Sequence, residues 1–135
     1  MTQYVIGPDV ALKLADGRAV PPATVRLVAP TLLRSQVLAM LHAEVRQGRL
    51  ARREAERRLD HLRALKIRLL GDRVLQRTAW NVADELGWSD TFVAEYVALT
   101  RLQADAFVTL DPELAAAADG VVPLADFDAL SKSAP

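Results

Sequence analysis

The fold of this chain is decided by the stretch AFVTL at 106–110, which runs directly into Asp111 and Pro112. Its apolar and β-branched side chains predict a buried strand over 106–110. Asp111 is a good helix N-cap and Pro112 suits the first helical position, so a short helix is expected over 112–118. A strand that passes straight into a helix is the repeating unit of an α/β domain.

The same alternation of strand and helix extends through the rest of the chain. Apolar runs predict strands at 4–6, 25–28, 67–70 and 121–124. Amphipathic stretches predict helices at 8–15, 31–47, 51–65, 72–86 and 89–104, with Asp72 and Ser89 as N-caps. Strands separated by helices need crossover connections, which give a parallel sheet covered on both faces. We therefore expect a three-layer α/β domain with four or five short, mostly parallel strands.

Length and composition indicate one domain over residues 1–135, with a helical hairpin at about 31–65 and a polar tail from about 131. The chain has no cysteine, which excludes disulfide scaffolds, thiolate zinc sites and cysteine nucleophiles. No apolar run approaches ~20 residues and the start lacks the basic residues of a signal peptide. We expect a soluble, cytoplasmic protein with no membrane partner. Trp80, Trp88 and Tyr96 lie in or beside amphipathic helices, and we expect them in the core rather than as base-stacking platforms.

Charge is segregated along the chain, although the net charge is zero. Residues 46–77 hold 11 basic and 4 acidic side chains, whereas residues 78–135 hold 2 basic and 10 acidic ones. The basic segment is either a footprint for a polyanion or acidic partner, or a solvated helical face with internal ion pairs. Its candidate RNA- or partner-binding residues are Arg46, Arg49, Arg52, Arg53 and Arg57.

Acidic residues follow two of the predicted strands. Asp9 comes after the first strand, and Asp111 directly follows Leu110. In open α/β sheets ligands bind beyond the carboxyl ends of the strands, and Mg²⁺ prefers oxygen ligands. The two carboxylates are therefore candidate metal ligands. On spacing alone purely structural roles are favoured, since Asp111 suits a helix cap and Asp9 suits a first helical turn.

Several segments together resemble a known family. They are, in order, a strand, PDVAL, LLRSQVL, a charged hairpin, AEYVAL and FVTLDPEL. From about Tyr4 to Leu124 the chain resembles the PIN domain of VapC-type toxins. The resemblance implies a Mg²⁺- or Mn²⁺-dependent endoribonuclease that is typically homodimeric and held inactive by an antitoxin wrapped on its surface.

The acids of that family are mostly replaced here. The resemblance places its first three acidic positions on Gly7, Gln36 and Val93, and only the fourth, Asp111, keeps its carboxylate. Thr109 is retained two residues before it. Each lost carboxylate removes about 4 kcal/mol of attraction per unit charge at 4 Å and an effective dielectric of 20. We expect these positions to line one pocket that binds Mg²⁺ poorly.

Nearby side chains offer a partial replacement. Asp9 falls where the family often has a small polar residue, so it can take over from the acid lost at Gly7. Gln36 keeps a carbonyl oxygen, and Asp90 lies about one turn before Val93.

Two functions therefore stay open on the sequence alone. The first is a non-catalytic or weakened PIN-domain protein that acts by binding an antitoxin or RNA. The second is an active endoribonuclease whose shifted site is built on Asp9 and Asp111.

Overall fold

The computed structural model describes residues 1–131, and that part of the chain holds four strands and six helices. The strands are β1 (Thr2–Ile6), β2 (Val25–Pro30), β3 (Arg68–Leu70) and β4 (Ala106–Val108). The helices are α1 (Pro8–Asp16), α2 (Leu32–Arg46), α3 (Arg52–Ala64), α4 (Arg73–Leu86), α5 (Phe92–Gln103) and α6 (Pro112–Ala118). A 3₁₀ turn, Phe127–Ser131, follows. Beyond residue 131, the predicted polar tail lies outside the described residues.

The four strands form one parallel sheet in the order β3-β2-β1-β4. Helices α1, α2 and α3 pack on one another. Helix α5 packs against β1, β2 and β4, and α4 packs on α5. Crossovers between parallel strands are right-handed as a rule, so helices that connect strands in opposite directions across the sheet lie on opposite faces. The chain moves from β1 to β2 to β3 through α1, α2 and α3, and it returns to β4 through α4 and α5. The predicted three-layer α/β architecture with a parallel sheet is confirmed.

The core lies on both sides of the two central strands. Apolar and aromatic side chains fill β4 and the second half of β1, from Tyr4 to Ile6, as expected for parallel strands covered on both faces. Its fully buried members include Val5, Ile6, Val97, Phe107 and Val108. No helix among residues 1–131 has the length and apolar character needed to cross a bilayer.

The sheet has a switch point between β1 and β4. From β1 the chain moves outward to β2 and β3, and then returns to place β4 on the opposite side of β1. Ligands of open α/β sheets bind in the crevice at such a point, beyond the carboxyl ends of the two strands. The residues that follow β1 and β4 therefore meet at this crevice.

Most predicted helix ends agree with the structure. Gly7 is the N-cap of α1, with Pro8 in the first position. The Asp72 side chain accepts a hydrogen bond from the Leu75 amide and caps α4, and Gly87 ends that helix in the left-handed conformation.

The predicted cap of α5 is wrong. Thr91, not Ser89, is the N-cap residue, and the helix begins at Phe92. Asp90 explains the shift, because its Oδ1 accepts a hydrogen bond from the Phe92 amide at 3.0 Å. The side chain that holds this helix start is thus one residue beyond Ser89.

Two strand predictions also need correction. The segment 121–124 does not form a fifth strand, since Leu124 makes only an isolated bridge to Phe107. Pro123 has no amide hydrogen to donate, which prevents a regular ladder there. Strand β4 ends at Val108 rather than at Leu110, whose amide is taken by a side chain at the crevice.

Candidate functional site

Asp9 lies in the crevice and binds the chain on both sides of it. Its Oδ1 accepts a hydrogen bond from the Val10 amide at 2.8 Å. Its Oδ2 accepts one from the Leu110 amide at 2.9 Å and one from the Thr109 hydroxyl at 3.3 Å. The carboxylate therefore joins the first turn of α1 to the segment that leaves β4.

Gly7 leaves the space that this carboxylate fills. A Cβ atom placed on Gly7 would lie 2.8 Å from Oδ1 of Asp9. The amide of Gly7 donates to the Val108 carbonyl at 3.2 Å, so the backbone here is held against β4. A side chain at position 7 and the present orientation of Asp9 exclude each other.

Asp111 stands at the other side of the crevice as the N-cap of α6. Its Oδ1 accepts hydrogen bonds from the amides of Glu113 at 3.0 Å and Leu114 at 3.3 Å. Its own amide donates to the Thr109 hydroxyl oxygen at 3.2 Å. Because that hydroxyl also donates to Asp9, Thr109 links the two acids that the sequence singled out.

Gln36 lies on α2 and accepts a hydrogen bond from a tyrosine of α5. The Tyr96 hydroxyl donates to Gln36 Oε1 at 2.5 Å, and Tyr96 is only 3% exposed. Burial, together with the negative charges of Glu95 and Asp9, raises the pKa of Tyr96 above its ordinary value. The hydroxyl thus stays protonated and keeps donating, which uses one of the two lone pairs of the Gln36 oxygen that was a candidate ligand.

Sequence reasoning assigned Tyr96 to the core and missed its role in this network. The core assignment is correct, since the ring packs 6.1 Å from that of Phe107. The sequence did contain a signal for this role. A tyrosine assigned to the core has a hydroxyl group that needs a hydrogen-bond partner when it is buried.

The remaining predicted positions contribute less to the crevice. Val93 lies one turn before Tyr96 on α5, where it is half-buried and has no ligand atom. Asp90 lies at the exposed start of that helix, where it accepts from the Phe92 amide. Glu95 is half-buried, and this burial raises the pKa of its carboxyl group.

The donor set at the crevice does not fit Mg²⁺ or Mn²⁺. Mg²⁺ demands near-octahedral oxygen ligation, usually through carboxylates that are free to point at the ion. Here the carboxylate of Asp9, Oδ1 of Asp111 and Oε1 of Gln36 already accept hydrogen bonds from the chain itself. Within residues 1–131, no three acidic or histidine side chains come close enough together to hold an ion.

The arginines predicted to bind RNA or a partner divide into two groups. Three are in ion pairs: Arg49 with Glu44 at 2.9 Å, Arg52 with Glu56 at 3.1 Å, and Arg57 with Glu54 at 2.7 Å. The other two, Arg46 and Arg53, are exposed and form no ion pair within the described part of the chain. Three of the five predicted binding arginines are thus already paired with glutamates.

A groove of about 450 Å³ runs between α2 and α3. Apolar side chains form its floor: Leu38, Leu41, Val45, Ala55 and Leu59. Polar and charged ones form its rim: His42, Arg46, Arg52 and Glu56. Leu38 remains 55% exposed, although it lies on the apolar side of the hairpin.

The ion pairs of α3 predict an acid-sensitive contribution to stability. Hydrogen bonds from Arg57, then its charge and those of Arg58, lower the pKa of Glu54 to about 2. A carboxyl group whose pKa is lowered by folding stabilises the protein above its unfolded pKa and loses that effect as the pH falls through the folded value. We expect Glu54→Gln to lower the unfolding midpoint at pH 7, with the difference shrinking between about pH 4.5 and 2.

Thermal unfolding of both proteins across this pH range measures the effect. Glu56→Gln is the matched control, because its pair with Arg52 is far more exposed and exposed pairs contribute little. A difference for Glu54→Gln that stays constant down to pH 2 would contradict the assignment.

Comparisons with known proteins bear on the fold. No protein-family model matches the chain, and no curated protein matches it. Among solved structures, the chain is similar to the crystal structure of PAE2754 from Pyrobaculum aerophilum. The TM-score is 0.72 and the sequence identity 23%, and the match covers 96% of this chain and 92% of that one. A likeness at this identity shows a shared α/β fold.

Proposed function

We propose that this chain is a PIN-domain protein of the VapC type that acts by binding a partner rather than by cutting RNA. One observation carries the proposal: both oxygens of Asp9, Oδ1 of Asp111 and Oε1 of Gln36 accept hydrogen bonds from the chain itself, which leaves only Oδ2 of Asp111 without one among these oxygens. Two of the family's acidic positions, Gly7 and Val93, carry no polar side chain at all. The crevice thus serves as a structural joint between β1, β4, α2 and α5.

The partner proposed is an antitoxin protein that occupies the groove between α2 and α3. Its apolar floor suits the apolar face of a bound helix, and the free cation of Arg46 at its rim favours acidic residues beside that face. RNA is the weaker candidate for this surface, because Arg49, Arg52 and Arg57 are already paired with glutamates. An arginine in an ion pair must break it to neutralise a phosphate.

A metal-dependent endoribonuclease is the second candidate. It is favoured by the position of Asp9, whose carboxylate fills the space beside Gly7 where the resemblance places the first acid. Asp111 keeps one oxygen, Oδ2, outside the cap hydrogen bonds. In this reading a shifted site on Asp9 and Asp111 holds the ion.

The proposal also includes a homodimer, which is the usual assembly implied by the resemblance. Light scattering of the purified chain tests this point, and a monomeric mass would contradict it.

Calorimetric titration with Mn²⁺ distinguishes the two candidate functions. The binding protein is expected to show no saturable Mn²⁺ uptake, and Asp111→Ala is expected to give the same trace as wild type. Saturable binding by wild type that disappears in Asp111→Ala would favour the endoribonuclease. The cap lost in that variant costs only about 1 kcal/mol of stability, so its fold is retained.

A further inference from the structure

The cations that remain free lie mostly outside α3. Along α3 and its neighbours, Arg49, Arg52, Arg57, Arg58 and Arg63 all form ion pairs. By contrast, Lys66, Arg68, Arg73 and Arg77 are exposed and form no ion pair within residues 1–131. The acid within this second segment, Asp72, is engaged as the cap of α4. Four unpaired cations thus follow one another from Lys66 through β3 to the first half of α4, whereas other unpaired arginines, such as Arg46 and Arg53, lie elsewhere in the described part of the chain.

The outer face of α4 adds an exposed aromatic ring to this charge. Trp80 is 66% exposed, which corrects the prediction that it belongs to the core. Arg77 precedes it by three residues and Arg73 by seven, so all three side chains lie along one side of the helix. The opposite side is buried through Leu75, Ala79 and Val82, so this side faces outward.

We propose that this face of α4 binds single-stranded nucleic acid, with a base stacked on Trp80 and phosphates bound by Arg73 and Arg77. A large exposed indole beside free guanidinium groups matches the chemistry of such sites, where aromatic rings stack bases and cations follow the backbone. Charge complementarity sets the occupant, because two copies docked face to face would bring like charges together. Asp84 lies one turn after Trp80. Its negative charge repels phosphates, so the proposed binding face ends before it.

This inference is independent of the proposed antitoxin groove and of any metal. The groove lies between α2 and α3, and none of its lining residues belongs to α4. A failure of one proposal therefore leaves the other standing.

Fluorescence anisotropy with a labelled, uridine-rich RNA oligonucleotide tests the site. Trp80→Ala is expected to weaken binding about tenfold through the lost stack. The double variant Arg73→Gln with Arg77→Gln is expected to weaken it at least as much and to reduce the salt slope by about 1.4, since two phosphate contacts are removed. The matched control, Arg52→Gln with Arg63→Gln, removes two exposed arginines that are in ion pairs. It is expected to leave the affinity within about twofold.

A second readout uses the tryptophan itself. In Trp88→Phe, Trp80 is the remaining tryptophan, and its fluorescence is expected to be quenched as the oligonucleotide binds. Single-stranded DNA of the same sequence is expected to bind within about fivefold of RNA, because stacking and phosphate contacts do not need the 2′-hydroxyl. Equal affinity for wild type and Trp80→Ala, or tighter binding of duplex than of single strand, would overturn the proposal. A change of oligomeric state in Trp80→Ala without nucleic acid would also overturn the proposal, because it would show that this face is a protein interface.

Discussion

Replacing Asp9 with alanine is expected to lower the free energy of unfolding by about 3 kcal/mol, an unusually large loss for a side chain that is only partly buried. The carboxylate accepts hydrogen bonds from two amides and one hydroxyl, and these tie α1 to the end of β4. Hydrogen bonds to a charged acceptor are stronger than neutral ones, and their loss leaves the Val10 amide without a partner beside the core.

Urea unfolding of the wild type and two variants measures this effect. Asp111→Ala is the matched control, because it also removes a carboxylate from the crevice. That carboxylate only caps α6, and its loss is expected to lower the free energy of unfolding by about 1 kcal/mol. Adding Mn²⁺ is expected to leave the wild-type midpoint unchanged. A loss for Asp9→Ala no larger than that for Asp111→Ala would show that the carboxylate does not tie α1 to the end of β4.

The second large effect is a gain of activity. A variant with Gly7→Asp, Asp9→Ser, Gln36→Glu and Val93→Asp is expected to cleave single-stranded RNA at least about a hundredfold faster than wild type in Mg²⁺. It restores a carboxylate at each replaced family position while Asp111 is retained. Asp9→Ser is needed because a side chain at position 7 would otherwise meet Oδ1 of Asp9 at 2.8 Å.

Three matched controls sharpen this test. The same variant with Asp9 kept is expected to be less active, since two carboxylates then compete for one space. Adding Asp111→Ala to the four substitutions is expected to abolish the gain. Single restorations are expected to do little, because groups that act as a unit are far from additive. A single restoration that reaches the full rate would contradict this cooperative account.

The fold was largely predictable because its signals are local. AFVTL at 106–110 followed by Asp111 and Pro112 specifies a strand and a capped helix within one short stretch, and Asp72 caps α4 in the same way. The predictions that were wrong depend on competition between neighbours. Ser89 does not cap α5, because the Asp90 side chain already accepts a hydrogen bond from the Phe92 amide.

The crevice was predictable only in part. The sheet topology brings Asp9 and Asp111 to one edge, and the sequence order of strands and helices predicts that much. Which donors occupy each oxygen depends on tertiary contacts such as that between Tyr96 and Gln36, which are 60 residues apart. Trp80 shows a different limit, because its large apolar ring suggested a core position although it lies off the stripe of Leu75, Ala79 and Val82 that the domain covers.

Cleavage of a fluorogenic single-stranded RNA by the wild-type chain, with Mg²⁺ or Mn²⁺ and with EDTA, tests the central claim most directly. Asp111→Ala is measured beside it, since it removes the one acid retained at the family positions. The account predicts that wild type shows no EDTA-sensitive cleavage above the level of Asp111→Ala. Robust EDTA-sensitive cleavage by wild type that is lost in Asp111→Ala would contradict it and would establish an endoribonuclease with a shifted site.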